Sequence, residues 1–191
     1  MDRLWINHHG GPVPHLFTRA QQVTLIPEAD VAVVTADAPE SRWVQPFRSV
    51  QYAVSLGEPV CAFGYPEDLL GDVPAKETPR FFRGNVQRPF LFQKPGARGY
   101  SAYELNFPCP PGLSGGPVFL AEEPFTVIGV VTENFESYTI RYAEEEERHK
   151  GKTFRVEARQ VITYGVAANL LAAADVLEKV LGKPLPNRLS G

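Results

Sequence analysis

The sequence is poor in the residues that cross-link small domains or bind metals. Its 191 residues include two cysteines, Cys61 and Cys109, which form no C-x-x-C pair and no Cys/His cluster with metal-ligand spacing. A zinc site is therefore not expected. The two thiols are expected to be free, although one disulfide between them is compatible with the sequence. No apolar run approaches the roughly 18 residues of a membrane span, and residues 1–5 lack the start of a signal peptide. We therefore expect a soluble chain that has no membrane partner.

The sequence also has no large excess of charge of either sign. Nineteen basic side chains stand against 22 acidic ones, a net charge of -3. This balance gives no electrostatic reason to expect nucleic acid as a partner. Sixteen glycines and 18 prolines make the chain rich in turns, but short of the roughly 25–30% of these residues that is typical of disorder. The length suffices for one domain or two small packed halves.

Short apolar runs between Gly and Pro residues predict an all-β protein. The predicted strands span residues 22–26, 31–35, 59–63, 80–82, 90–92, 103–107, 117–120 and 126–132. Only residues 167–181 show a helical period, and Gly182 and Pro184 follow them as a stop signal. The charged run 141–152 predicts a solvated hairpin tip that carries His149 as a surface residue. The likeliest boundary between two strand-rich halves lies within residues 39–57.

The sharpest chemical signal is Gly112–Val118, with the sequence GLSGGPV. A serine hydroxyl becomes a nucleophile when a base stands beside it and backbone N–H groups can hold the resulting oxyanion. Gly112 can aim its N–H at that charge together with the N–H of Ser114, and the following glycines leave room for a substrate. Pro117 and an apolar strand follow, whereas the nucleophile elbow of an α/β-hydrolase leads into a helix. A glycine-rich turn that merely contains a serine remains an alternative.

The motif resembles the nucleophile motif of the trypsin-like serine peptidases, in particular the compact bacterial peptidase domains with the chymotrypsin double-barrel fold. The resemblance implies that Ser114 is the nucleophile and that the Gly112 and Ser114 amides form the oxyanion hole. Glu28–Val34 resembles the acidic-residue motif of the family, which makes Asp30 the implied orienter of the base. A turn-capping role after Pro27 is the alternative for Asp30. A carboxylate buried at the start of an apolar strand would also need a hydrogen-bonding partner.

Three further stretches fit the same family. Residues 62–66 resemble the strand end that opens the second barrel. Residues 127–131 resemble the strand whose edge pairs with the substrate backbone, so Gly129, Val130 and Val131 are implied substrate-binding residues. Residues 164–167 and the helix fit the carboxyl terminus of the family. The resemblance implies a partial N-terminal barrel in residues 1–48 and, in residues 49–191, a C-terminal barrel with a closing helix.

The catalytic histidine of the family has no clear counterpart. It should precede Asp30, where only 29 residues and the candidates His8, His9 and His15 are present. Ile6–His9 resembles the histidine box of the family, which would make His9 the base. We favour a second alignment, in which residues 3–7 and 23–26 are strands that follow the histidine, whose own strand lies upstream in a longer natural protein. A relative without a catalytic histidine is the third alternative.

Two other departures concern activation and specificity. Leu113 stands where many secreted relatives carry an Asp that pairs with a new N-terminus, so no zymogen activation of that kind is expected. Pro108 stands at the position of the pocket floor, six residues before Ser114, which favours small or apolar substrate side chains over basic ones.

The sequence therefore predicts an all-β, chymotrypsin-like fold and serine endopeptidase activity on peptide or protein substrates, without a metal or organic cofactor. The alternative is a catalytically inactive relative that binds peptides or partner proteins, using the strand at 129–131.

Overall fold

The fold of the chain is almost entirely built from β-strands. The structure, a computed structural model, describes residues 5–8, 16–36, 48–49, 53–66, 79–148, 152–182 and 184–185; in 5–8, 16–19, 48–49, 124–125, 140–148 and 152–158 it describes the backbone alone. The strands are β1 (Trp5–His8), β2 (Leu16–Ile26), β3 (Val31–Ala36), β4 (Arg48–Ser49), β5 (Pro59–Gly64), β6 (Arg80–Phe92), β7 (Tyr100–Leu105), β8 (Pro117–Leu120), β9 (Glu123–Arg148) and β10 (Lys152–Asn169). A 3-10 turn (Leu171–Ala173) leads into the helix α1 (Ala174–Leu181). No helix in these ranges is long and apolar enough to span a membrane.

The amino-terminal strands form a three-stranded antiparallel sheet in the order β1-β2-β3. Ile26 pairs with Val31, so residues 27–30 form a four-residue hairpin loop between β2 and β3. Within this loop the Ala29 N–H donates to the Ile26 carbonyl at 3.1 Å. Asp30 closes the loop at φ +51°, a left-handed conformation that Asp tolerates better than most residues.

The remaining strands form a second sheet that closes on itself. Its strand order is β10-β7-β6-β5-β8-β9-β4. Because β10 also pairs with β9, the six strands from β10 to β9 in this order close into a ring. The barrel interior is filled by the inward-facing residues of this ring, a set that includes Val60, Val86, Tyr103, Leu105, Leu113, Val118, Ile128 and Val131. Since the first sheet ends at Ala36 and the second takes up the chain from β4, the strands divide between two sheets near the predicted boundary. The boundary itself stays a prediction.

The prediction of a β-rich chain with one C-terminal helix is confirmed, but the helix is shorter than predicted. Ala167 and Ala168 belong to β10, where they pair with β7 on one side and with β9 on the other. Their small side chains are fully buried between the neighbouring strands, so tertiary packing outweighs the helical preference of alanine. The predicted stop is correct, since Gly182 follows the helix at φ +66°.

Two other predicted segments also differ from the structure. The runs 80–82 and 90–92 are the two ends of the single strand β6. Gly84, inside this strand, is required by packing, because a Cβ there would overlap the side chains of Asn106 and Phe107. The predicted hairpin is present, but β9 and β10 continue through the charged residues to Arg148 and Lys152. His149 lies outside the described residues.

A hydrophobic contact attaches the first sheet to the barrel and the helix. Ile26 and Ala29, at the β2–β3 loop, are 1% and 3% exposed and pack with Leu177 of α1. Val31 packs against this cluster and also against the buried cluster around Tyr100 and Val166 on the barrel. The loop that carries Asp30 is therefore anchored on both sides.

We expect Leu177→Ala to lower the free energy of unfolding by about 2–4 kcal/mol, because it leaves a cavity under the β2–β3 loop. The matched control is Val176→Ala on the same helix, where the side chain is 37% exposed and the expected change is below about 1 kcal/mol. Urea denaturation followed by circular dichroism would measure both. Equal effects of the two substitutions would contradict the proposed anchoring role of Leu177.

Candidate functional site

Ser114 lies at the tip of a tight turn whose backbone requires glycine. Gly112 has φ +85° and Gly115 φ +88°, a region that glycine adopts without steric cost. The turn is closed by the Leu113 N–H to the Pro110 carbonyl at 3.1 Å and by the Gly116 N–H to the Leu113 carbonyl at 2.9 Å. Leu113 is fully buried in the barrel, whereas Ser114 is exposed. The turn therefore holds the serine at the surface on a buried anchor.

The turn is fixed to strand β9 by three hydrogen bonds. The Gly115 N–H donates to the Val131 carbonyl at 2.8 Å, and the Val131 N–H donates to the Gly116 carbonyl at 2.9 Å. The Ser114 hydroxyl donates to the Thr132 carbonyl at 2.9 Å. The hydroxyl proton therefore lies on a backbone acceptor in this structure.

The N–H groups of Gly112 and Ser114 form the second part of the site. Among the described residues, neither group donates a hydrogen bond to a protein acceptor, and both residues are exposed. Two free N–H groups on either side of Leu113 are available to an anion or a carbonyl oxygen, as an oxyanion hole requires.

Asp30 and Ser114 line the same cleft, which has a volume of about 410 Å³. The other lining residues are Val31, Ala32, Gly115, Val130, Val131 and Thr132. The β2–β3 loop thus brings an acidic residue of the first sheet to the nucleophile turn of the barrel, 84 positions later in the chain. Asp30 is exposed, so solvent can hydrate its carboxylate. The hydrogen-bonding partner that a buried carboxylate would need is therefore not required.

Two hydroxyl groups form a relay at Thr132, the residue whose carbonyl accepts the Ser114 hydrogen bond. The Tyr100 hydroxyl lies 2.9 Å from Thr132 Oγ1, which donates to the Val166 carbonyl at 3.2 Å. Burial raises the pKa of Tyr100 to about 12. Sequence analysis missed both side chains, because Tyr100 and Thr132 are 32 residues apart and neither belongs to a recognisable motif.

A lysine and a glutamate lie beside the relay. Lys94 forms an ion pair with Glu133 at 2.8 Å, and the hydrogen bond that Lys94 donates to the Glu133 carboxylate raises the pKa of Lys94 above its usual value. The lysine therefore stays protonated at neutral pH and cannot take a proton from Ser114. The raised pKa of Tyr100 keeps its hydroxyl neutral as well, so neither residue is a base in this site.

The side chains of all four histidines lie outside the part of the chain that the structure describes. The backbone of His8 is described, and it pairs with Leu16 at the start of β2, while Asp30 follows the other end of that strand. His9, one of the candidate bases, and also His15 and His149 lie outside the described residues. In the part of the chain that is described, no group of three or more His, Cys, Asp or Glu side chains could hold a metal.

The predicted substrate segment Gly129–Val131 has neighbouring backbone on both of its sides, while Val130 and Val131 line the cleft; substrate binding by this segment stays a prediction. Gly129 and Val130 pair with β8 on one side and with β10 on the other. A Cβ on Gly129 would lie 2.6 Å from the Ala168 carbonyl oxygen, which shows how closely the neighbouring strand approaches. Backbone groups already used in two ladders cannot pair with a peptide. The pairing with β8 ends at Val130, so the free edge of β9 begins beyond this segment.

Pro108, the predicted pocket floor, is exposed and does not line the cleft. The segment that contains it is held against β9 by Asn134, whose side-chain amide bonds the backbone of Cys109 on both its N–H and its carbonyl. Cys109 and Cys61 are buried free thiols, in agreement with the sequence expectation. Burial raises the pKa of the Cys109 thiol to about 12.

The fold resembles solved protease structures. The protease domain of MamO from Magnetospirillum magneticum, in its apo form, superposes with a TM-score of 0.53 at 16% identity, covering 93% of this chain and 74% of that one. A serine-to-alanine mutant of Rv3671c from M. tuberculosis, in an inactive form, also gives a TM-score of 0.53, at 18% identity with 95% and 78% coverage. No protein-family model and no curated protein sequence matches the chain.

These similarities establish the fold. The chain has the chymotrypsin-like fold of trypsin-like serine proteases, as its sequence predicted. The match rests on architecture, since fewer than one residue in five is identical.

We expect the stability of the chain to fall as the pH rises from about 10 to 12, partly because of Tyr100. Its folded pKa of about 12 lies above the roughly 10 of an unfolded tyrosine. The stabilisation from its neutral hydroxyl is therefore complete below pH 10 and is lost as the pH approaches 12. Urea unfolding at several pH values would show a shallower decline in Tyr100→Phe than in the native chain. Tyr138→Phe, at an exposed ring, is the control, and an identical pH dependence in the native chain and Tyr100→Phe would contradict the expectation.

Proposed function

We propose that the chain is a serine endopeptidase that cleaves peptide bonds through an acyl-enzyme on Ser114. The observation that carries the proposal is the shared cleft of Ser114 and Asp30. Asp30 and Ser114, each identified by its own sequence motif, line one cleft that is wide enough for an imidazole ring. The fold shared with proteases supports the same proposal.

Each group has a defined role in this mechanism. Ser114 Oγ attacks the carbonyl carbon of the substrate and gives its proton to a histidine base. The base passes this proton to the amine as the C–N bond breaks and the acyl-enzyme forms, and water then hydrolyses the ester. The N–H groups of Gly112 and Ser114 hold the oxyanion that forms, and Asp30 orients the histidine. The hydroxyl must first leave the Thr132 carbonyl, where it donates in the present structure, because a donor bonded there cannot pass its proton to a base.

The register of the first sheet bears on which histidine serves as the base. His8 pairs with Leu16, ten residues along β2 from Ile26, which corresponds to about 33 Å of strand. The backbone of His8 therefore lies far along the strand from the Asp30 loop. His9 lies outside the described residues, and its role as the base stays a prediction.

The hydrogen bond from the Ser114 hydroxyl to the Thr132 carbonyl favours a second candidate function, a peptide-binding relative without catalysis. A cleft that receives no histidine would keep Ser114 bonded to Thr132 and could still bind a peptide at the free edge of β9 and the free N–H groups of the turn. Strand addition to an open sheet edge is a common mode of peptide recognition. Such a relative would hydrolyse peptides only slowly, because loss of one triad member removes most of the rate and leaves about 10³–10⁴-fold acceleration over water.

Labelling with a fluorophosphonate separates the two functions. If the chain is a peptidase, the probe should form an adduct on Ser114, located by peptide mass spectrometry, and Ser114→Ala should abolish it. Asp30→Asn should slow labelling by at least tenfold, because a base without its orienting carboxylate is misaligned. Glu28→Gln, two residues away in the same loop, is the matched control and should label at the native rate.

The absence of an adduct on Ser114 in the folded native chain would overturn the peptidase proposal for this sequence. An adduct whose rate is unaffected by Asp30→Asn would retain the nucleophile and remove Asp30 from the mechanism. Peptide binding without an adduct would support the second function.

A further inference from the structure

Thr132 is the extra residue of a β-bulge in strand β9. The residues on either side of it pair with two consecutive residues of β10, Val166 and Ala167, so Thr132 itself faces no residue of that strand. Bulges interrupt the regular ladder and often redirect a group next to a functional site. The Thr132 carbonyl is such a group, because it accepts the hydrogen bond of the Ser114 hydroxyl at 2.9 Å. Bonds made by the Thr132 side chain can therefore influence where this carbonyl points.

The Thr132 hydroxyl is held from two strands. It has one proton, and it donates this proton to the Val166 carbonyl of β10 at 3.2 Å. It therefore accepts in its second bond, to which the hydroxyl of Tyr100 on β7 donates at 2.9 Å. The two bonds run in one direction, from Tyr100 through Thr132 to Val166. Without the Tyr100 hydroxyl, the Thr132 side chain would keep only the longer of the two bonds.

The donor of this chain is fixed by its own surroundings. Strand β10 lies between β7 and β9 in the sheet, so the Tyr100 side chain reaches across β10 to bond Thr132. Tyr100 is 6% exposed and packs in one buried cluster with Val166 and Ala168 of β10. Its ring also contacts the ring of Phe92, with the centroids 5.6 Å apart. The hydroxyl is therefore presented to Thr132 by a ring that has little freedom to move.

We propose that Tyr100 is a positioning residue that keeps the Thr132 carbonyl turned toward Ser114 and thereby holds the serine hydroxyl in its resting orientation. Tyr100 does not line the cleft shared by Asp30 and Ser114, and it acts through Thr132, which does. The inference rests on the proposed role of Ser114 as the nucleophile, because the resting bond must break before the hydroxyl proton can reach a base. Loss of the Tyr100 hydroxyl should therefore release the nucleophile.

The test measures the orientation of the Ser114 side chain directly. Scalar couplings between its α and β protons report the χ1 rotamer by NMR in the isotopically labelled full chain, and they require neither a substrate nor a base. In the native chain we expect one dominant staggered rotamer. In Tyr100→Phe, which removes the hydroxyl and keeps the buried ring, the couplings should become averaged over several rotamers.

Tyr103→Phe is the matched control. Tyr103 is also buried, at 1% exposure, and its hydroxyl is hydrogen-bonded to the backbone of Val54. The substitution thus removes a buried tyrosine hydroxyl at a position that does not line the cleft. The Ser114 couplings should keep their native values in this variant.

Two substitutions at Thr132 keep the test decisive if Tyr100→Phe folds poorly. Thr132→Val removes the hydroxyl and keeps a β-branched side chain of similar shape, so it should average the Ser114 couplings as Tyr100→Phe does. Thr132→Ser retains a hydroxyl that can make both bonds, and it should keep the native rotamer. A purely structural role of Tyr100 and Thr132 in the packing of the barrel would not produce this difference between valine and serine.

Fluorophosphonate labelling measures the consequence for the nucleophile. Tyr100→Phe should label Ser114 at least about threefold faster than the native chain does, because weakening a neutral hydrogen bond lowers the cost of releasing the hydroxyl by an amount of this order. Tyr103→Phe should label at the native rate.

Unchanged Ser114 couplings in Tyr100→Phe and Thr132→Val would overturn the proposal, and so would equal averaging in Tyr103→Phe. Averaged couplings in the native chain would overturn it as well, since no resting orientation would then be held. Averaging in Tyr100→Phe without faster labelling would show that the nucleophile is not restrained by Tyr100. If neither the native chain nor any variant is labelled, the peptidase proposal fails, and the couplings alone then decide whether Tyr100 holds the hydroxyl.

Discussion

The candidate site depends on the hydrophobic contact between the β2–β3 loop, the helix α1 and the outer face of the barrel. Ile26, Ala29 and Leu177 exclude water beneath the loop, and Val31 joins this cluster to the one around Tyr100. No covalent link within the described residues joins the first sheet to the barrel at this point, and the ion pair between Glu28 and Arg98, at 3.6 Å, is exposed and worth less than about 1 kcal/mol. Apolar burial therefore brings Asp30 to the cleft, and the acidic group and the serine belong to one site only while that contact holds.

The local backbone of the two motifs could be predicted from the sequence, whereas the long-range partners of their residues could not. The turn at Ser114 could be predicted because glycines on both sides of a serine allow positive φ, which other residues rarely adopt. The pattern at Asp30 was predictable because an apolar strand follows it directly. The lower bound of the helix was wrong because alanine fits both a helix and a strand between close neighbours, and only the pairing of β10 with β7 and β9 decides between them. Asn134 carried no signal, since a single asparagine in a strand does not reveal which backbone it will bond.

The predicted substrate strand illustrates the same limit. Residues 129–131 have the apolar character of a strand, and the sequence cannot show how many neighbours that strand has. The ladder with β8 ends at Val130, so a shift of two or three residues separates a fully paired strand from an open edge. Beyond that point the Thr132 side chain bonds the Val166 carbonyl of β10, and the Asn134 side chain bonds the backbone of Cys109, between β7 and β8. Their function in the site is visible only once the pairing is known.

The outer half of the β9–β10 hairpin has consequences for the behaviour of the chain in solution. Beyond Phe135 and Tyr164 the two strands pair only with each other in the described structure, so neither has a second neighbouring strand there. Such edges are templates for further strands. The acidic residues 144–147 are placed along one of these edges, where two copies aligned side by side would bring like charges together. We therefore expect the charged run to oppose association of such edges, and high salt, which screens the repulsion between like charges, to favour association.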